Sequence, residues 1–466
     1  MTKRVRPGRT AFVALFLTLS LAFVGFGASG SAALAAEQGE YTSFYVNFPL
    51  YLQTGACVYP VRYLVPKTVT PARASMEALI AGIPGNGGLR MIPLPKDTKV
   101  LGVSISNGVC TVDFSGEILK LNVGSGGEAA VISAIVTTLG QFAGVDYVRM
   151  LVDGKPLETL AGHVDITGPI PVSRDAVFQV LPDVEQHWSG GAVAALEAMD
   201  VIAGFGDGTF RPENRVTRGE FIKMLTEALE LPDAPSQSVP FKDVPGTWHE
   251  AYVKKALASG LLDPSEYGTN LYPDQPLPRE EMASLLMAAK DAYRSRHPEV
   301  GYELVSNVPA FSDISATQER YRSAVQECAR LGFLRGFPDG TFRPRETLKR
   351  SEAATVLTRV LGMPSTSDII RISPLSGAKW DGGSLNILGV SRAFEGTVNW
   401  RLKGSSGDEI MYGYTTATQG MGWGLFSLHI DAALLEGKTP ASLDLFLVSM
   451  RDGSEYSQVS LPLKRQ

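Results

Sequence analysis

Three arginines, Arg218, Arg279 and Arg350, stand in one setting within the 466-residue chain. Their surroundings read Val-Thr-Arg-Gly-Glu-Phe (216–221), Leu-Pro-Arg-Glu-Glu-Met (277–282) and Leu-Lys-Arg-Ser-Glu-Ala (348–353). A guanidinium is a planar fork of donors that matches a carboxylate through two parallel hydrogen bonds. Each arginine also falls in the first turn of a helix, where positive charge opposes the macrodipole. Charge set against the dipole three times asks for an acidic partner. One candidate is an acidic ligand, received by the arginine together with the unsatisfied N–H groups of the helix start. The other is an acidic residue, an aspartate, of a neighbouring repeat, which would make each arginine a staple of the core. Both readings stand, and both can hold at once.

The elements that position these residues are repeated. Downstream of the arginines lie Phe221, Met224, Leu225, Ala228 and Leu229; then Met282, Leu285, Leu286 and Ala289; then Ala353, Val356, Leu357, Val360 and Leu361. The spacing i, i+3, i+4, i+7 is one face of a helix. Upstream, Asp183 and Trp188 correspond to Asp243 and Trp248, and in the third copy to Asp313 with Tyr321 as the aromatic. A further amphipathic helix follows each, through Val193, Leu196 and Met199; Tyr252, Val253 and Leu257; and Val325, Ala329 and Leu331. A glycine-rich turn joins the helices: Gly-Phe-Gly-Asp-Gly-Thr-Phe-Arg-Pro (204–212) and Gly-Phe-Pro-Asp-Gly-Thr-Phe-Arg-Pro (336–344), reduced to Leu-Tyr-Pro-Asp (271–274) in the second copy. Asp-Gly supplies the turn chemistry, and Phe210 and Phe342 are placed to plug the turns onto the helices. A helix-loop-helix unit cannot bury its stripe alone, so the three must pack together. Thr217 and Glu220 form a capping box, which Pro278 and Lys349 depart from in the other copies.

This pattern resembles the S-layer homology (SLH) domain, present as a triplet over 176–232, 240–292 and 308–363. The resemblance implies an all-α module with a pseudo-threefold arrangement. It also implies non-covalent binding to acidic secondary polysaccharide on peptidoglycan, often pyruvylated. Carried over by position, the polysaccharide-binding residues are Asp183, Trp188, Gly208, Thr209 and Arg218 in the first repeat. The second contributes Asp243, Trp248 and Arg279, and the third Asp313, Gly340, Thr341 and Arg350.

Residues 40–165 read as mixed α/β. Strand patterns cover 41–52 and 61–66, helical ones 71–81 and 128–142, and a hairpin over 99–114 turns at Asn107-Gly108. A last strand covers 147–152. The stretches Pro-Leu-Pro-Lys-Asp-Thr-Lys-Val-Leu-Gly-Val (93–103), Val-Cys-Thr-Val-Asp-Phe-Ser (109–115) and Val-Arg-Met-Leu-Val-Asp-Gly-Lys-Pro (148–156) resemble the GerMN domain of sporulation and germination proteins. That family implies an envelope role without an established catalytic site.

Over 368–466 helical periodicity stops, and short alternating stretches separated by Gly/Ser/Asp turns predict an all-β sandwich. Ile-Ser-Pro-Leu-Ser-Gly (372–377) and Leu-Gly-Val-Ser-Arg-Ala-Phe-Glu-Gly-Thr-Val (388–398) resemble the Gmad immunoglobulin-like domain that accompanies GerMN. Trp400, Trp423 and Phe426 are expected in its core. The triplet thus lies between two modules that could both project from a wall.

Lys3, Arg4, Arg6 and Arg9 precede an apolar run from Ala11 to Val24, and Ala33-Leu34-Ala35 has the small-residue spacing of a cleavage site. Residues 1–35 therefore read as a secretory signal peptide. They carry those four cations and no acid, so their removal takes the formal charge from −5 to −9. That balance gives no support to nucleic-acid binding, and no other segment is apolar enough to span a bilayer. The expected location is the bacterial cell wall or surface, with wall polysaccharide and other envelope proteins as partners.

No zinc-protease, nucleophile-elbow, phosphate-loop or calcium-loop motif is present. No catalytic residue, metal ligand or cofactor is expected. Asp113 and Ser115 read as turn caps, and His187 and His249, beside the repeat tryptophans, as surface-lining residues. Cys57 and Cys110 could pair or remain buried thiols, and Cys328 belongs to a helix core. The alternative to a non-catalytic anchor is a wall hydrolase, targeted by the triplet, with an unrecognised carboxylate pair in 40–165.

Overall fold

The computed structural model describes residues 41–465 apart from 53–54, 68–69, 84–88, 174–177, 179, 299, 303, 364–367, 374–378, 381 and 421. The expected leader over 1–35 lies outside the described residues.

Two long strands, β1 (Tyr41–Leu52) and β2 (Gly55–Pro66), form an antiparallel hairpin. β2 begins at Gly55 rather than Val61 because β1 pairs along its whole length, down to Leu52 opposite Gly55. Helix α1 (Pro71–Ala81) carries proline at its first position, where the missing N–H is not needed. β3 (Val100–Ser106) and β4 (Val109–Phe114) turn at Asn107 and Gly108, with φ of 50° and 78°, the left-handed pair that a tight hairpin requires. α2 (Ser125–Leu139) is followed by β5 (Tyr147–Val152), which lies parallel to β4. The short strands β6 (Lys155–Pro156) and β7 (Ile170–Pro171) both pair with β5. Both helices pack against β1; α1 also meets β3 and α2 also meets β5.

Six helices come next, in pairs: α3 (Gly190–Ala198) and α4 (Arg218–Ala228), α5 (Glu250–Ala258) and α6 (Arg279–Arg296), α7 (Glu319–Arg330) and α8 (Arg350–Val360). The extended segments that lead into α4, α6 and α8 meet one another. Val216 N–H donates to the carbonyl of Leu348, Leu348 to Leu277, and Leu277 to Val216, each at 2.9 Å. The ring closes on itself, with isolated bridges at Arg215–Lys349, Thr217–Pro276 and Pro278–Thr347. Around it α4 packs on α5, α6 on α7, and α8 on α3, so the second helix of each repeat lies on the first helix of the next. Phe210, Leu271 and Phe342 are buried beneath the three turns.

The last part is β-rich: β8 (Ile369–Ser373), β9 (Lys379–Trp380), β10 (Leu385–Ser391), β11 (Thr397–Gly404), β12 (Glu409–Thr416), β13 (Gly424–Ile430), a short α9 (Ala432–Leu435), β14 (Pro440–Val448), β15 (Glu455–Pro462) and β16 (Lys464–Arg465). One sheet runs β12-β11-β14-β15. The other runs β8-β10-β13-β2-β1, so the hairpin from the start of the chain completes it. β13 pairs in parallel with β2, Leu428 opposite Arg62 and Ile430 opposite Leu64. The seam is reinforced by side chains: Tyr59 Oη donates to the carbonyl of Phe426 (3.0 Å), and Ser427 Oγ to that of Pro60 (2.6 Å). The guanidinium of Arg62 stacks on Tyr414.

Trp400 and Phe426 fill the sandwich core, as expected. Trp423 is buried elsewhere. Its indole lies flat on the start of α3, where a Cβ on Gly191 would come within 2.5 Å of the ring. The two flanking modules therefore do not project separately. They share a sheet and both touch the helical repeats. Cys57 and Cys110 sit on different sheets as free thiols, and Cys328 is a free thiol in the helical core.

Glu197 on α3 is buried near this junction, and one of its carboxylate oxygens has no partner. Burial, reinforced by Asp183, pushes its carboxyl up to about 8. A raised carboxyl favours the fold while protonated. Its contribution is complete below the ordinary value of 4.5 and is lost as pH rises through about 8. Stability to urea should fall between pH 5 and pH 9, and Glu197→Gln should flatten that fall. Separately, Gly191→Leu should lower stability by about 1–3 kcal/mol by driving a side chain into Trp423. Urea unfolding followed by tryptophan fluorescence measures both.

Candidate functional site

Each repeat arginine reaches into the turn of the next repeat. Arg218 gives Nε and Nη2 to both oxygens of Glu281 at 2.5 and 2.7 Å, and Nη1 to the carbonyls of Leu271 and Tyr272. Arg279 donates to the carbonyl of Phe342 (3.0 Å) and to Glu352 (2.8 Å). Arg350 donates to the carbonyls of Phe210 (2.9 Å) and Ala203 (3.1 Å), with Glu220 at 4.0 Å. All three guanidiniums are buried against aromatic rings: Tyr267 for Arg218, Phe337 and Phe342 for Arg279, Phe205 and Phe210 for Arg350. Of the two partners weighed for these arginines, the structure supplies the internal one, a glutamate rather than an aspartate. Their donors and burial leave little for a ligand. Burial holds Arg279 and Arg350 below the usual arginine range, whereas at Arg218 the Glu281 carboxylate outweighs burial and raises it.

The difference between copies has a local cause. Glu220 and Glu352 each give one oxygen to the backbone N–H at the start of their own helix, Thr217 at 2.8 Å and Lys349 at 2.9 Å. Pro278 has no N–H, so Glu281 keeps both oxygens for Arg218. This half of the capping box needs only a main-chain donor, which is why Lys349 preserves it although its side chain is no cap.

The three aspartates are staples as well. Asp183 accepts from Phe210 and Arg211 N–H (2.8 and 2.7 Å), Asp243 from Leu271 and Tyr272 (2.9 and 2.7 Å), and Asp313 from Phe342 and Arg343 (2.7 and 2.8 Å). Arg211, Tyr272 and Arg343 adopt the same left-handed backbone, φ 57°, 54° and 57°. The second repeat thus keeps the turn although it has lost most of the motif. Gly208 and Gly340 sit in exposed turns at φ 78°. There Thr209 and Thr341 bond the carboxylates of Asp207 and Asp339. Those threonine bonds, with Arg211 and Arg343, hold both carboxyls at about 2.

Two of the expected residues stand free at the surface: Trp188 is 61% exposed and Trp248 53%. Each lies where two consecutive repeats meet. At the junction of the first and second, Trp248 packs on His249, whose ring occupies the space above Gly219 and lies 3.5 Å from Asp274. His249 is itself buried, not surface-lining, and burial keeps it below the usual histidine range. At the junction of the third and first, Trp188 neighbours His187, which bonds Ser189 (2.8 Å) and lies 3.5 Å from Glu213. Glu213 pairs with Lys349. Glu213 and Asp274 were not singled out by sequence. Their signal was register, since each directly follows the turn proline. Tyr321 does not replace the missing tryptophan. It lies a turn inside α7, buried, and Thr317 occupies the aromatic's place before the helix.

In the α/β part, Glu128 is the carboxylate with the most complete set of partners. Its oxygens accept the N–H groups of Leu160, Ala161, His163 and Val164 at 2.7–3.1 Å. Burial works to raise it, but the four amides outweigh burial and keep it below the carboxylate range. A carboxylate so held is a loop anchor, not an acid or base. Asp113 caps Gly154 N–H, and Ser115 caps Lys99 N–H. Among the described residues no cluster of three or more His, Cys, Asp or Glu side chains could hold a metal, and no helix is long and apolar enough to cross a membrane.

If the arginines are staples, Arg218→Ala should cost about 3 kcal/mol of stability by leaving Glu281 buried without its partner. Arg218→Met combined with Glu281→Leu should recover most of that loss. Urea unfolding of both variants distinguishes a staple from a ligand contact, which would leave stability unchanged.

The same segments match known families. Residues 181–222, 240–283 and 310–354 match the S-layer homology domain. Residues 49–158 match Germane, described as sporulation and spore germination, and residues 370–454 match Gmad2, the immunoglobulin-like domain of bacterial spore germination. None of these descriptions is of a catalytic domain. The chain is similar to the exoglucanase XynX of Acetivibrio thermocellus, at 27% identity over 43% of this chain and 18% of that protein. It is also similar to a cellulosome-anchoring protein of the same species, at 28% identity over 34% of this chain and 35% of that one. The chain spans between 9% and 22% of the length of the first curated relatives it matches. Among solved structures it resembles the tandem GerMN domains of the sporulation protein GerM from Bacillus subtilis, at 19% identity and a TM-score of 0.25, over 30% of this chain and 48% of that one. The chain is thus a cell-surface protein that carries an S-layer homology triplet between a Germane domain and a Gmad2 immunoglobulin-like domain.

Proposed function

We propose that this is a secreted, non-catalytic envelope protein held on an acidic, peptidoglycan-linked secondary polysaccharide by its S-layer homology triplet. On this reading the triplet is an all-α module of pseudo-threefold form. The joined Germane and Gmad2 modules then contact other envelope proteins in a sporulation- or germination-related setting. The observation that carries the reading is the pair of exposed tryptophans, each at a junction between repeats and each beside a histidine and an acid. An indole face stacks on the C–H face of a sugar ring, and the neighbouring polar groups select its substituents. A chain with a formal charge of −9 after loss of its leader gains nothing from bulk attraction to an anionic polymer. Attachment is therefore local. The arginines and aspartates that sequence marked as ligands act one step back, fixing the turns and helix starts on which the tryptophans stand.

The test is co-sedimentation of the 36–466 chain with native wall sacculi and with sacculi stripped of secondary polymer. Binding to native sacculi alone is expected. Trp188→Ala and Trp248→Ala should each weaken it by roughly tenfold, about 1.4 kcal/mol, with unchanged urea stability. Equal binding to both preparations would sink the proposal.

A further inference from the structure

Most sheet edges in this chain are closed or blunted. The outer edge of β1 is taken up by side chains and a loop. Gln141 accepts from Tyr45 N–H and donates to the Tyr45 carbonyl, both at 2.6 Å, and Thr138 Oγ1 accepts from Asn47 N–H at 2.8 Å. Arg90 and Ile92 bond Tyr51 and Pro49 further along. β6 and β7 have two residues each, the second a proline. In the sandwich, the edge strands β12 and β15 begin at Glu409 and Glu455, and each meets a register shift in its ladder. Charge, proline and irregular register are ways of keeping an edge from pairing with another chain.

β3 differs. It ends its sheet and reads Val-Leu-Gly-Val-Ser-Ile-Ser, with no charge and no proline. Leu101 is 48% exposed and Ile105 44%. Arg73 covers one carbonyl at the start, that of Val100, at 2.7 Å. Among the described residues nothing bonds the outer side of 102–106. The strand's own pattern indicates what fits there. Laid antiparallel on a copy of itself about Val103, it sets Leu101 opposite Ile105 and Gly102 opposite Ser104, apolar against apolar and small against small. Lys99 then falls opposite Asn107 of the other copy. The Asn107-Gly108 turn carries a carboxylate, since Asp146 Oδ2 stands 2.9 Å from where a Cβ on Gly108 would be. Lys99 and Asp146 are both exposed. This register therefore brackets two uncharged strands with two opposite-charge pairs and sets no like charges together. Centring the pair one residue either way puts Lys99 against Ile105 or Val109 instead.

We infer that β3 is a docking edge for a second copy of this chain, the two strands pairing antiparallel about Val103 with Lys99 of each reaching Asp146 of the other. A strand paired with itself in this way has a two-fold axis, so the assembly closes at two copies and does not grow into a fibre. The inference does not depend on what the helical repeats bind.

Two measurements on the 36–466 chain test it. The first is sedimentation equilibrium at rising concentration, where monomer and dimer with nothing larger are expected. Lys99→Asp sets like charges together and should weaken the dimer by roughly tenfold, and Lys99→Asp combined with Asp146→Lys should restore it. Ile105→Lys should weaken it as well. These positions are exposed, so the urea midpoint of each variant should match the wild type. The second is mild oxidation of cysteine variants. Val103→Cys sets a thiol opposite its own copy, at the roughly 4.5–5.5 Å Cα separation of a directly opposed pair, and should give a covalent dimer that the wild type does not. Ser106→Cys, whose copy lies about 20 Å away in this register, should not. A chain that stays monomeric at about 100 μM overturns the inference. So does a dimer indifferent to Ile105→Lys and to the charge exchange, or cross-linking through Ser106→Cys in place of Val103→Cys.

Discussion

The helical half of the molecule depends on a ring of three main-chain hydrogen bonds, Val216 to Leu348, Leu348 to Leu277 and Leu277 to Val216. The ring cannot be built by one or two repeats, because each segment is donor to one neighbour and acceptor to the other. It sets the start of α4, α6 and α8, and so aims Arg218, Arg279 and Arg350 outward into the next repeat's turn. Each guanidinium then binds the main chain of that turn, Arg218 at Leu271 and Tyr272, Arg279 at Phe342 and Arg350 at Phe210. A buried arginine costs desolvation, and only the combination of carboxylate, carbonyl and aromatic partners offsets it. The junctions that carry Trp188 and Trp248 follow from this packing, since they lie where consecutive repeats meet.

Much of this was legible in the residues. The spacing of apolar positions gave the six helices, the Asn107-Gly108 pair gave its hairpin, and alternation gave the strands of the C-terminal sandwich. The arginines were recognisable as displaced charges in need of an acid. What sequence could not decide was which acid. Arg218 and Glu281 lie 63 residues apart, and no local pattern joins them. Pro278 is a clue once the pair is seen, because a proline has no N–H to donate to Glu281 and leaves that carboxylate free for another partner. Trp423 misled for a similar reason. A large aromatic before a strand reads as sandwich core, and nothing nearby announces that Gly190 and Gly191, far upstream, make a flat seat for it.

The histidines divide in an instructive way. His187 and His249 flank tryptophans in sequence, yet His249 is buried and His187 only partly so. Glycine at 219 is what admits the His249 ring, so the identity of one repeat's helix start decides what the next repeat can place against it. Equivalent junctions diverge in this way by single residues, while the ring beneath them stays the same.

The parallel pairing of β2 with β13 brings Tyr59 onto Phe426, 367 residues later in the chain. A polypeptide that emerges from its N-terminus presents the β1–β2 hairpin long before its neighbour strand exists. Throughout that interval the outer edge of β2 is an unpaired ladder flanked by apolar side chains, the kind of surface that joins chains together. Contacts of such long range also form slowly. Folding of this protein is therefore bound by order: the first of these strands to be made are among the last to find their place, and the shared sheet is closed only when the β-rich module arrives.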